Sequence, residues 1–199
     1  MTLLRTGPRG SELHRIERDG AVVTVHALDP EGDADLLHSW VTQPRASFWG
    51  MGEMTRDEVR DTYAFVESLP THHAYLVRWD GEPIVLLQAY EAQDDPVSDA
   101  YDAEAGDVGF HFFLGARGPA GGGVWRLLGP AMVSFLLSGS SARRLVAEPD
   151  ARNAAAVARV VAVGFEIGPR VRFDSAHGPK DAQLVFLTRT RAAERGVLI

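Results

Sequence analysis

The sequence predicts a mixed α/β fold, and three observations predict it. Short runs rich in β-branched and aromatic residues are bounded by turn residues, as strands are. Between them lie segments with apolar residues at helical spacing, one of them opened by a capping box. The 199 residues show no internal repeat and no linker, which fits one domain over residues 21–199 with 1–20 as an N-terminal arm or extra strand. Ala21 to Leu28 reads as the first strand and Ala34 to Val41 as a short helix. Beyond Pro44, Phe48-Trp49-Gly50-Met51 reads as loop. Thr55-Arg56-Asp57-Glu58 places a hydroxyl and a carboxylate three residues apart, and Val59, Tyr63 and Val66 follow at helical spacing. A helix is therefore expected from Arg56 to Leu69, where Pro70 stops it. Ala74–Trp79 and Pro83–Gln88 read as strands joined through Asp80-Gly81, a hairpin signal. Val108 to Leu114 is the next strand and Val124 to Leu137 a helix with Leu128, Met132 and Phe135 on one face. Leu145 to Ala147 is a short buried strand, and Arg170–Phe173 and Gln183–Leu187 close the series.

Composition narrows the classes. With 45% hydrophobic and 9% aromatic residues the chain can bury a core, so disorder is excluded. A formal charge of −7 argues against a nucleic-acid partner, which calls for a basic stripe. From Glu91 to Asp107 there are seven carboxylates and no lysine or arginine, the composition of a solvated acidic loop. The absence of cysteine removes disulfides, thiolate metal sites and cysteine nucleophiles. The first residues lack the apolar core of a signal peptide, and no apolar run reaches the about 20 residues that span a bilayer. The expectation is a cytoplasmic protein with no membrane partner, monomeric or dimeric.

Three segments carry chemistry. In Val146-Ala147-Glu148-Pro149-Asp150-Ala151-Arg152-Asn153, Pro149 ends the strand and Asn153 is a good N-cap for the Ala-rich helix Ala154–Val163, which Gly164 closes. The segment Gly115-Ala116-Arg117-Gly118-Pro119-Ala120-Gly121-Gly122-Gly123 stands between an apolar strand and an amphipathic helix. Glycines there allow close backbone approach to phosphate, helix-start amides favour an anion, and Arg117 adds charge. In Asp107-Val108-Gly109-Phe110-His111-Phe112-Phe113-Leu114-Gly115, alternation places His111 and Phe113 on one face. Histidine accepts a proton near neutral pH, as a general base for an amine must.

These segments resemble the GNAT N-acetyltransferase superfamily, from about Ala21 to Arg189. The spelling Glu148-Pro149-Asp150 with Arg152-Asn153 and the Asp107-x-Gly109-x-His111 strand resemble a narrower branch, the siderophore-biosynthesis hydroxylysine and lysine N-acyltransferases. His38-Ser39-Trp40-Val41-Thr42-Gln43-Pro44 with Phe48-Trp49, and the closing segment Gly178-Pro179-Lys180-Asp181-Ala182-Gln183-Leu184, resemble the same branch. The resemblance implies a central mixed, mostly antiparallel sheet flanked by helices. It implies acetyl-CoA or another acyl-CoA as co-substrate, no metal, and a small-molecule amine or hydroxylamine acceptor of lysine, ornithine or cadaverine type. The coenzyme would be held at Phe113, Leu114, Gly115, Arg117, Gly121, Gly122, Gly123 and Asn153. His111 and Asp150 would carry the chemistry, with Asp150 orienting His111, attracting the ammonium or accepting the proton; Trp40 and Trp49 would line the acceptor pocket. Lys180 reads equally as a solvated turn residue. The chain departs from the family twice: one extra residue separates Arg117 from Gly121, and Val160 stands seven residues after Asn153, where the family often has a tyrosine acid. An aminoglycoside 6′-N-acetyltransferase and a non-catalytic acyl-CoA-binding domain are the rival readings.

Overall fold

The structure, a computed structural model, describes residues 3–118, 123–175 and 178–198. Its eight strands are β1 (Glu12–Arg18), β2 (Ala21–Ala27), β3 (His72–Trp79), β4 (Glu82–Glu91), β5 (Asp107–Leu114), β6 (Arg144–Ala147), β7 (Glu166–Ser175) and β8 (Gly178–Thr188). They form one sheet in the order β1-β2-β3-β4-β5-β6-β8-β7. The pairs β1–β2, β2–β3, β6–β8 and β7–β8 are antiparallel and β5–β6 is parallel, so the sheet is mixed as predicted. Its helices are α1 (Ala34–Val41), α2 (Arg56–Ser68), α3 (Val124–Leu137), α4 (Ala154–Val163) and α5 (Arg189–Glu194). No helix among the described residues is long and apolar enough to cross a membrane.

The chain divides into two compact units. One comprises Thr6–Gln88 and Phe112–Gly121. Its core gathers Leu37, Trp40, Val59, Tyr63, Leu76, Leu86 and Phe113. The capping box at α2 forms: Thr55 Oγ1 accepts from the Glu58 amide at 3.3 Å, and Glu58 Oε2 accepts from the Thr55 amide at 2.7 Å. Such a cap is worth about 1 kcal/mol. Asp80 and Gly81 take φ of 49° and 89°, the two left-handed residues that a twisted two-residue hairpin requires. Residues 12–18, left unplaced by the sequence, are β1 on the edge of β2. The segment read as loop after Pro44 is instead a 3-10 helix, Pro44–Trp49, ended by Gly50 at φ 82°.

The other unit comprises Met1–Arg5, Ala89–His111 and Gly122–Ile199. Here α3 and α4 match their predicted bounds, while β7 and β8 are longer than predicted and α5 was not foreseen. The Thr188 hydroxyl caps α5 by accepting from the Arg191 amide at 3.2 Å. The acidic segment is not simply solvated. Ala92 and Val97 are buried in it, and Asp107 at its end is 2% exposed. Arg144 donates to both Asp107 oxygens at 2.8 and 2.6 Å, and the Tyr101 hydroxyl donates at 3.0 Å. A buried carboxylate must be paired, so Asp107 ties this segment down at the start of β5.

Candidate active site

Register brings three charged or titratable side chains to one place. Parallel pairing of β5 with β6 runs from Asp107–Arg144 to Gly109–Val146 and stops there. Past Ala147 the chain stays extended beside β8: Gln183 N donates to Pro149 O at 2.9 Å, and Asp150 bridges Ala182. Side chains alternate along extended chain. Residues 109 and 111 therefore share a face with 146 and 148, and with 180, 182 and 184 across from them.

On that face Glu148 is the hub. It is buried, at 2% exposure. Its Oε1 is hydrogen-bonded to His111 Nε2, and Lys180 Nζ donates to the same oxygen at 3.1 Å. The Tyr90 hydroxyl donates to Oε2 at 2.8 Å. Burial pushes the carboxyl up, but His111, Lys180 and Tyr90 together outweigh it and bring Glu148 down to about 2. Burial, reinforced by the Glu148 charge, pushes the Tyr90 phenol well above its ordinary range, so it remains a donor. With Nε2–H on Glu148, the neutral imidazole carries its basic lone pair on Nδ1.

Gly109 is what lets this cluster form. A methyl group there would stand 2.0 Å from the Tyr90 ring, and Tyr90 in turn lies 5.2 Å from the His111 ring, centroid to centroid. Gly109→Ala is expected to force Tyr90 away from Glu148 and to cost about 1–3 kcal/mol in urea unfolding. Wild-type stability in this variant would show that the ring relocates freely.

The other sequence-predicted residues fall as follows. The carboxylate on His111 Nε2 is Glu148 rather than Asp150. The Asp150 carboxylate is bound by Arg152 through the side chain at 2.9 and 2.8 Å and the amide at 2.8 Å, and these bonds hold it below the usual carboxylate range. Asn153 caps α4, its Oδ1 accepting from the Ala156 amide at 3.1 Å, which leaves Nδ2 as its donor. Gly115 packs under Trp40, whose ring lies 1.8 Å from where a Cβ would be. The Gly115 amide donates to Ile84 O at 2.8 Å, so it is committed within the sheet. Arg45 donates to the carbonyls of Leu114 and Gly115 and lies 5.4 Å over the Phe113 ring. Trp40 is core, at 5% exposure. Trp49 is partly buried, with its N–H on the Tyr63 hydroxyl at 3.1 Å and its ring 5.7 Å from that of Phe113. Arg117 is exposed. At α3, Gly123 offers no capping side chain and the first turn holds no carboxylate, an arrangement suited to an anion at the helix start. Gly121 and Gly122 lie outside the described residues.

Sequence reasoning named His111 but missed Glu148 and Tyr90, and it left Lys180 open between the branch resemblance and a solvated turn residue. Lys180 belongs to β8, where Pro179–Ala182 pair with β7. One signal was available: a glutamate directly after Leu145-Val146-Ala147 continues a buried strand, and a buried carboxylate demands partners.

A match to the acetyltransferase (GNAT) domain covers residues 29–173, well over half of the chain. The protein belongs to the GNAT acetyltransferase family. Among relatives, an N-hydroxyputrescine acetyltransferase of Acinetobacter baumannii is 33% identical over 122 residues, 59% of this chain and 56% of that protein. The lysine N-acyltransferase MbtK of Mycobacterium tuberculosis is 28% identical over 128 residues, 62% of this chain and 59% of that protein. The matches thus span little more than half the length of these curated relatives. Among solved GNAT structures, the aminoglycoside acetyltransferase AAC(6')-Ib in complex with coenzyme A superposes with a TM-score of 0.71 at 25% identity, covering 87% of this chain and 98% of that one.

Proposed function

We propose that this GNAT protein is an acyl-CoA-dependent N-acyltransferase that acylates the side-chain amine or hydroxylamine of a lysine-, ornithine- or cadaverine-like acceptor, for siderophore assembly. The observation that carries the reading is the His111–Glu148 pair between β5 and the chain just past β6, a base oriented by a buried carboxylate in a chain of this family. Direct attack is the expected course, since no cysteine exists to carry an acyl group. The acceptor nitrogen forms the N–C bond as the thioester C–S bond breaks. His111 takes the proton from nitrogen, and the departing thiolate is protonated. Val160 cannot serve as that acid, and it is buried at 2% exposure, so the proton comes from His111 or solvent. Much of the rate gain comes from positioning.

For the coenzyme, the start of α3, with no carboxylate in its first turn, offers helix amides to the pyrophosphate, with Nδ2 of Asn153 as a further donor. For the acceptor, Trp49 is the tryptophan with ring surface to offer. Asp150 is bound by the exposed Arg152, which the distal ammonium of a diamine can replace. Acetyl-CoA is expected to raise the melting temperature, as a ligand selective for the folded state must, and thiol release is expected with diamines, their N-hydroxylated forms or lysine. Release only with aminoglycosides would transfer the protein to that acceptor class. Absence of any acyl-CoA binding at millimolar concentration would sink the reading.

A further inference from the structure

We infer that Lys180 is a specificity-determining residue that selects an acceptor nitrogen arriving uncharged, a hydroxylamine in preference to a primary amine. The inference rests on the acyltransferase reading above and adds to it which nitrogen is favoured. Lys180 Nζ and His111 Nε2 share a single oxygen of Glu148. The ammonium is partly buried, at 24% exposure, whereas His111 is 37% exposed. It also lies 5.8 Å over the Phe173 ring, so it is held on two sides.

Both carboxylates of this corner already have cationic partners: Glu148 has Lys180, and Asp150 has Arg152 at 2.8 Å. The Tyr90 phenol is uncharged. A primary amine reaches the protein as an ammonium at neutral pH. Close to His111 it meets the Lys180 charge, which offsets the attraction of the Glu148 carboxylate that would otherwise draw an ammonium in. It must also shed one proton before attack and a second during it. A hydroxylamine nitrogen is far less basic, arrives neutral, and gives up a single proton to His111 as the N–C bond forms and the C–S bond breaks.

The test compares an α,ω-diamine with its mono-N-hydroxylated counterpart of equal length, using acetyl-CoA and the full-length chain at pH 7. Wild type is expected to favour the hydroxylamine in kcat/KM. Lys180→Gln is expected to reduce that preference by roughly tenfold or more, chiefly by gains with the diamine, while Lys180→Arg keeps it because the charge is kept. Melting temperature and acetyl-CoA binding are measured on the same preparations. An unchanged preference in a folded, coenzyme-binding Lys180→Gln protein would overturn the inference, as would a wild type that prefers the diamine. Turnover of neither acceptor by wild type would instead remove the diamine-type acceptor reading, and this inference with it.

Discussion

Replacing His111 with alanine is expected to lower kcat by roughly 100-fold or more while acetyl-CoA still binds. The ring is partly exposed and linked to Glu148 through Nε2, so its loss removes the group proposed to accept the proton without opening the core. The fall should be larger for plain amines than for hydroxylamines, because the less basic nitrogen needs less help in losing its proton. Thiol-release kinetics with both acceptor types, alongside calorimetry of coenzyme binding, reads this directly. Near-wild-type turnover with both acceptors would reduce His111 to a structural role.

Glu148→Gln is expected to have the largest effect on stability. The substitution removes the charge from a buried position and leaves Lys180 facing a neutral amide, and breaking a buried pair costs about 3–5 kcal/mol. For a chain of this size that is a fall of roughly 10 °C in Tm. The pH dependence gives a second check. Glu148 is lowered from 4.5 to about 2 in the folded protein, so the unfolded chain takes up a proton at higher pH than the native one. The carboxylate's contribution is therefore complete above the unfolded value and is lost as pH falls through the folded one. At about 1.4 kcal/mol per pKa unit this contribution is on the order of 3 kcal/mol. The stability gap between wild type and Glu148→Gln should be flat above about pH 4.5 and close toward about pH 2. A gap absent at neutral pH, or constant through that window, would show that Glu148 is not the anchor of the cluster.

Much of the architecture was legible because local physics writes it in short segments. The capping box at Thr55–Glu58, the left-handed pair Asp80-Gly81 and the Asn153 cap all act within a few residues, and all three form as read. The segments that were misread depend on distant partners. The acidic stretch looked solvated because Arg144, which neutralises Asp107, lies 37 residues away. Lys180 read equally well as a turn residue because Glu148, which holds it, lies 32 residues away. Asp150 was credited with orienting His111, yet Glu148, two residues earlier on the same face, is the carboxylate level with that ring, while Arg152 holds Asp150.

The sequence by itself determined most of the strands, helices α1 to α4, the hairpin and the identity of the histidine, since these follow from residue type and from periods of two and 3.6. Only the tertiary structure decided which carboxylate meets that histidine. The choice depends on where β5 stops pairing with β6 and on the register in which the chain beyond β6 lies along β8. A two-residue slip keeps the same face toward the histidine and would bring Asp150 where Glu148 now stands, and nothing in the spelling from Glu148 to Asp150 fixes that register.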